Sequence, residues 1–345
     1  MQFNSLAFVL AGLGFVALPA AAQSLQAYAG AVAGQAHGSA GTFACATSGP
    51  TIGNGWYAGL VLPTEGISAC NLVGGIDNQT GSTGPLAASQ SVSGPVENGS
   101  YSGSAAAHAD YWRLGVSAQG TMTGASGSST YNQSAAFASF SVPVTLISPS
   151  LATGSAGMVN FSLLVEGLLN NLPNAPYTQQ GDVRLGIRVN GQPYSVWYAF
   201  SASSVNSNLP IVHGGASGLP GDFTLTPGSL SGSATITSTA GFQFQWGVPF
   251  EVEMALYTTV TPCCYGASID ADFYDTASLT GIQAYGPNGQ LVTDFTGWDG
   301  AGNQLDAQGL VAAVPEPGSF SLLLAGMACL AAQGARTRAQ ARRTG

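Results

Sequence analysis

Apolar residues recur at every second position through much of the chain. Val183, Leu185, Ile187 and Val189 alternate with Arg184, Gly186 and Arg188. Such alternation marks a strand with one buried face. Asn190-Gly191 follows, a pair that tolerates the positive φ required at both positions of a tight hairpin turn. Tyr194, Val196, Tyr198 and Phe200 then alternate again. The pattern predicts a hairpin with this apolar set on one face and the arginines on the other. Later, Phe250, Val252, Met254 and Leu256 alternate with Glu251 and Glu253, and Ala267, Ile269, Ala271 and Phe273 with Asp270 and Asp272. Segments 279–285 and 291–295 flank Gly286-Pro287-Asn288-Gly289, a turn sequence.

Earlier segments read as strands too. One is 108–117, centred on Tyr111-Trp112-Arg113-Leu114. A second is 135–147, where Pro143 indicates an edge or a bulge. A third is 157–166. Residues 161–172 could form one short helical turn, against a competing strand pattern. No amphipathic helix is evident. Many short strands between Gly, Pro, Asn and Ser predict an all-β fold, an antiparallel β-sandwich or jelly-roll-like body over residues 81–313. Residues 23–80, rich in Gly, Ala and Thr, read as an N-terminal decoration.

Composition narrows the class. Charged residues make up 7% of the 345 residues, where a globular chain carries about 25%. Hydrophobic residues stay at 45%, which is too apolar for a disordered solvating polymer. The 48 glycines follow no three-residue period, which excludes collagen. The chain has no Lys and a formal charge of -9. A nucleic-acid partner is excluded, because binding one needs cations that displace phosphate counterions.

The two ends carry addresses. An apolar run over 6–18 is broken by Pro19, and Ala20-Ala21-Ala22 supplies the small residues of a cleavage site. This predicts a signal peptide over 1–22, with signal peptidase reading Ala20 and Ala22 and leaving Gln23 first. The run is short for a membrane span. At the other end, Val314-Pro315-Glu316-Pro317-Gly318-Ser319 precedes an apolar run over 320–332, then Arg336, Arg338, Arg342 and Arg343. The Pro residues keep their segment extended, and the arginines hold the last turn in the cytoplasm by the positive-inside bias. The body would then sit outside.

This tail, 314–345, resembles the PEP-CTERM sorting signal of Gram-negative bacteria. The resemblance implies a short hydrophobic sorting helix and processing by an exosortase-type membrane protease near Pro-Glu-Pro. It implies an inner-membrane precursor whose body reaches the cell surface, outer membrane or extracellular matrix, in association with exopolysaccharide and biofilm. Ile269-Asp270-Ala271-Asp272-Phe273 and Thr276-Ala277-Ser278-Leu279 are similar to a stretch common near the C-terminus of such proteins. That second resemblance implies a β-sandwich body and no catalytic residue.

Four cysteines belong to the exported body: Cys45, Cys70, Cys263 and Cys264. An oxidising compartment makes them disulfide candidates, and three pairings remain open. Catalytic signals are sparse. His37, His108 and His213 lack zinc-site spacing, and no Gly-x-Ser-x-Gly elbow occurs. His108 lies two residues before Asp110, a fragment of a Ser-His-Asp set that only geometry could complete. If 262–264 turned two strands into a hairpin, Glu251, Glu253, Asp270 and Asp272 would lie side by side. Calcium would then relieve their repulsion. A second acidic set is Asp294, Asp299 and Asp306. Trp298, in a Gly/Asp-rich loop, is the aromatic best placed to stack on a sugar. The reading is an exported, non-enzymatic structural or interaction protein of the surface or matrix. Its alternatives are a carbohydrate-binding module that attaches to exopolysaccharide and a secreted hydrolase with a dispersed catalytic set.

Overall fold

The period-two pattern folds as strands, and no helix occurs among the described residues. The computed structural model describes residues 23–36, 70–96, 99–124, 130–171, 180–202, 211–215, 223–226, 228–238, 241–262 and 266–311. The signal peptide, the sorting tail, Cys45, Cys263, Cys264 and His37 lie outside these residues. Two compact units divide the chain, Met1–Leu310 and Val311–Gly345, and every described strand belongs to the first.

The strands in chain order begin with β1 (Ser24–Ala36), β2 (Cys70–Gly81), β3 (Leu86–Val96), β4 (Gly99–Asp110), β5 (Arg113–Gly124) and β6 (Thr130–Ile147). Next come β7 (Ala156–Asn171), β8 (Gln180–Val189), β9 (Ser195–Ala202), β10 (Ile211–Gly215), β11 (Phe223–Thr226) and β12 (Ser229–Thr237). The last are β13 (Phe242–Gln245), β14 (Phe250–Thr261), β15 (Ala267–Tyr285), β16 (Leu291–Val292), β17 (Thr296–Asp299), β18 (Gln304–Asp306) and β19 (Gly309–Leu310).

All pairings are antiparallel. A ten-stranded sheet runs β10-β9-β8-β14-β6 and forks beyond β6. The first part of β6 pairs with β1, which pairs with β2; its last residues pair with β17, followed by β18 and β19. A nine-stranded sheet runs β11-β12-β7-β15-β5-β4-β3, with β13 beside the start of β7 and β16 beside the end of β15. The main core lies between the sheets. It takes Val252, Met254 and Leu256 from β14 and Ile269, Ala271 and Phe273 from β15. Trp197 of β9 meets Phe273 of β15 at 6.2 Å between ring centroids, which ties one sheet to the other.

Several local expectations are corrected. Residues 24–36 are not decoration: β1 sits between β2 and β6, with Leu25, Ala27 and Ala29 in the core. Alanine contributes little to a hydrophobic alternation, which makes this strand faint in the sequence. Segment 108–117 is not one strand. Tyr111-Trp112 is the turn joining β4 to β5, where Asp110 pairs with Arg113 and Trp112 has φ 66°. Burying the whole indole between Phe140 and Phe161 offsets that strained backbone. Pro143 is on a central strand. It falls where β1 gives way to β17 on one side of β6, and its carbonyl accepts from Gly300 N on that side. The N–H that proline lacks is not needed at that gap. Residues 161–171 continue β7 without a helical turn.

The Asn190-Gly191 turn forms as expected, with φ of 47° and 66°. Its second strand has the opposite phase to that expected. Trp197 and Ala199 face the core, while Tyr194, Val196 and Tyr198 share the outer face with the arginines, Tyr198 opposite Arg184. The larger indole takes the core position, and the tyrosines keep their hydroxyls near water.

Candidate functional site: an uncharged cleft and the acidic strands

The four acids expected together are separated, because β14 and β15 belong to different sheets. Glu253 faces Arg188 of β8, accepting from Nε at 2.7 Å and Nη2 at 2.6 Å, and it also accepts from Tyr194 Oη. The Arg188 guanidinium lies 4.5 Å from the Tyr194 ring centroid, a cation–π contact. Glu251 accepts from Ser141 Oγ. Beside them, buried Asp182 is clasped by Arg184 at 2.6 Å. Burial pushes the Asp182 carboxyl up, and the Arg184 hydrogen bonds and charge pull it part of the way back.

Asp270 and Asp272 stand on the outer face of β15. They lie opposite Gln119 and Ser117 of β5, and opposite Asn170 and Leu168 of β7. No ion pair reaches either one among the described residues. Partial burial, then the neighbouring Asp272 charge, raises the Asp270 pKa.

The second acidic set is tied into the scaffold. Asp299 Oδ2 accepts from Trp112 Nε1 and Asn303 Nδ2, both at 2.8 Å, and Oδ1 accepts from Ala301 N and Asn303 N. It thus fixes the Tyr111-Trp112 corner to β17. Asp294 accepts from Ser148 and Ser150, and Asp306 from Gln308 N. Among the described residues no group of three His, Cys, Asp or Glu side chains is placed to hold a metal ion.

His108 packs edge-on against Tyr274, 4.7 Å between centroids. It makes no hydrogen bond to a serine or a carboxylate among the described residues. Burial and the Arg113 charge lower its pKa, opposed by Asp275 and Asp110. His213 lies on β10, and Cys70 opens β2. Trp298 is on strand β17 rather than in a loop, paired with Thr145 and Gln304. The residue is 43% exposed, and Ile147, 42% exposed, lies two pairs further along β6.

Sequence reasoning missed a cleft of about 550 Å³ at one end of the sandwich. Residues 156–158 of β7 and 243–245 of β13 form one wall, and Asn190, Val248, Pro249 and Phe250 another. Gly286, Pro287 and Gly289 of the turn after β15 close it. No ionisable side chain lines it. Gly157 is required here: a methyl group would lie 2.7 Å from both Phe244 and Trp246. Gln192 binds both the N and O of Gln243 through its side-chain amide, which occupies the free backbone edge of β13. Beyond the same turn lies a second hollow of about 280 Å³, sharing Gly286 and Pro287 and reaching Ser150 and Asp294. The turn signals at 190–191 and 286–289 were legible; that the topology brings both to one end was not.

No protein-family model, curated protein or solved structure matches this chain.

Proposed function

We propose that the chain is an exported, non-enzymatic structural or interaction protein of a Gram-negative cell surface or extracellular matrix. Signal peptidase and an exosortase-type protease process its two ends. The three-part tail carries this reading: Pro315-Glu316-Pro317, the apolar run, and the four terminal arginines in that order. Support comes from a body made of two packed antiparallel sheets, an architecture suited to a durable scaffold. The test is cell fractionation with C-terminal mass mapping, in a host carrying an exosortase and in one lacking it. Truncation near Pro315-Glu316-Pro317 in the first host alone is expected. An intact C-terminus in both overturns the reading.

A second reading, attachment to exopolysaccharide, is favoured by the exposed Trp298 on the outer face of β17. An indole presented to solvent offers a flat apolar surface to the C–H face of a sugar ring.

A further inference from the structure

We propose that the end cleft between β13 and the Gly286–Gly289 turn is a binding site for a neutral saccharide chain. This inference rests on the exopolysaccharide reading and moves its site away from Trp298.

Charge selects the ligand class. Acids outnumber cations 16 to 7 over the whole chain, yet no carboxylate and no cation lines this cleft. An anionic polymer would find no partner there and would be repelled by the chain's net negative charge. A fully apolar ligand would leave the lining amides unpaired. Gln243 and Gln245 project outward from β13, and their side-chain amides make no hydrogen bond among the described residues. Asn190 uses Oδ1 on Glu251 N, which leaves its amide N–H groups. The two glutamine amides each offer both a donor and an acceptor, the match for hydroxyls that are themselves both. Met158, 41% exposed, and Pro249 supply apolar surface between these polar groups. Neutral sugar rings present that same mixture of hydroxyl edges and C–H faces.

Shape agrees with chemistry. The volume of about 550 Å³ lies within the ~300–1,000 Å³ typical of small-ligand sites. The cleft is open to solvent, and the smaller hollow on the far side of the 286–289 turn shares Gly286 and Pro287 with it. A site open to solvent suits an internal stretch of a polymer rather than an enclosed monomer. Its walls come from both sheets, so the site is set by the sandwich itself.

Affinity electrophoresis of the purified full chain tests this, through gels containing dextran, galactomannan or alginate. Retardation by at least one of the two neutral polymers, unchanged by added salt, is expected. Replacing Gln243 and Gln245 together by alanine should weaken that binding about tenfold, since two polar contacts are lost. Met158→Glu, which puts a charge on the wall, should abolish it. Both changes are on exposed side chains, and an unchanged thermal midpoint verifies the fold. Neutral binding that survives both changes but is lost in Trp298→Ala overturns the cleft and leaves saccharide attachment standing. Retardation only by alginate, weakened by salt, does the same. No retardation by any of the three polymers overturns the attachment reading and this inference with it.

Discussion

On the outer face of the ten-stranded sheet, Arg188 bridges to Glu253 and stacks on Tyr194, and Arg184 clasps Asp182. On the outer face of the nine-stranded sheet, Asp270 and Asp272 stand two residues apart with Gln, Ser, Asn and Leu across from them. Both faces come from the same kind of sequence, an alternation of apolar and charged residues. They differ in what the neighbouring strand supplies. β8 sets Arg188 opposite Glu253 of β14 and carries both Arg184 and its partner Asp182, while β5 and β7 bring no arginine beside the acids of β15. An alternation of apolar and charged residues therefore fixes which charges face outward; Arg184 finds its partner two residues away on β8 itself, and for Glu253 the strand order supplies the pairing.

The largest effect that separates the two faces should come from Arg184→Ala. Asp182 is 2% exposed and Arg184 is its ion-pair partner. Removing the cation strands a buried carboxylate, a loss of about 3 kcal/mol. Urea unfolding measures it. The double change Asp182→Leu with Arg184→Met should recover most of that loss, because the burial cost goes with the charge. If Arg184→Ala alone is neutral, the pair does not stabilise this face.

Arg188→Ala should cost less, about 1–2 kcal/mol, because Glu253 is part-exposed and keeps the Tyr194 hydroxyl. A double-mutant cycle with Glu253→Gln isolates the coupling. A coupling near zero would make the contact ornamental and remove one side of the contrast.

On the opposite face the sign reverses. Asp270→Asn removes a half-buried charge whose neighbour is another carboxylate, so the variant should be more stable at neutral pH by about 0.5 kcal/mol. Asp270 has a raised folded-state pKa. Its favourable contribution is present below its unfolded pKa and is lost as pH rises through the folded value. The advantage of Asn should therefore appear as pH rises through that window and vanish in acid. A variant less stable than the parent at pH 7 would mean that something cationic reaches Asp270.

These residues also show how far the sequence can be read. The alternation in β8, β14 and β15 is strong because Val, Ile, Leu and Phe mark the inward positions, and the Asn190-Gly191 turn needs only local backbone chemistry. Where the inward residues are alanine, as in β1, the signal is faint. The corner at Trp112 escapes a local reading because a bulky residue at positive φ is improbable there. It is held by Asp299, 187 residues away. The phase of β9 is hidden for a related reason: both of its faces carry aromatic residues, and the packing against Phe273 of the other sheet chooses Trp197. Contacts between sheets determine the cleft as well, so its polar walls leave no mark on any single segment.

The smallest expected effect concerns His108, on the nine-stranded sheet. Burial against Tyr274, then the Arg113 charge, outweighs Asp275 and Asp110 and lowers its pKa. The folded state therefore prefers the neutral ring. Protonation favours the unfolded chain, so stability is full above the ordinary histidine value near 6.5 and falls as pH drops through the lowered folded value. The imidazole is only half buried, and solvent screening holds the effect to about a few tenths of a kcal/mol. Asp270, on the same sheet, loses its contribution as pH rises, so the two groups drive stability in opposite directions over different ranges. Comparing His108→Gln with the parent separates them: the variant should lose less stability on acidification below about pH 6.5 and keep the carboxylate response. If both proteins respond identically across that range, His108 is as freely hydrated in the folded state as in the unfolded one, and the charges on this sheet reach no further than Asp270 and Asp272.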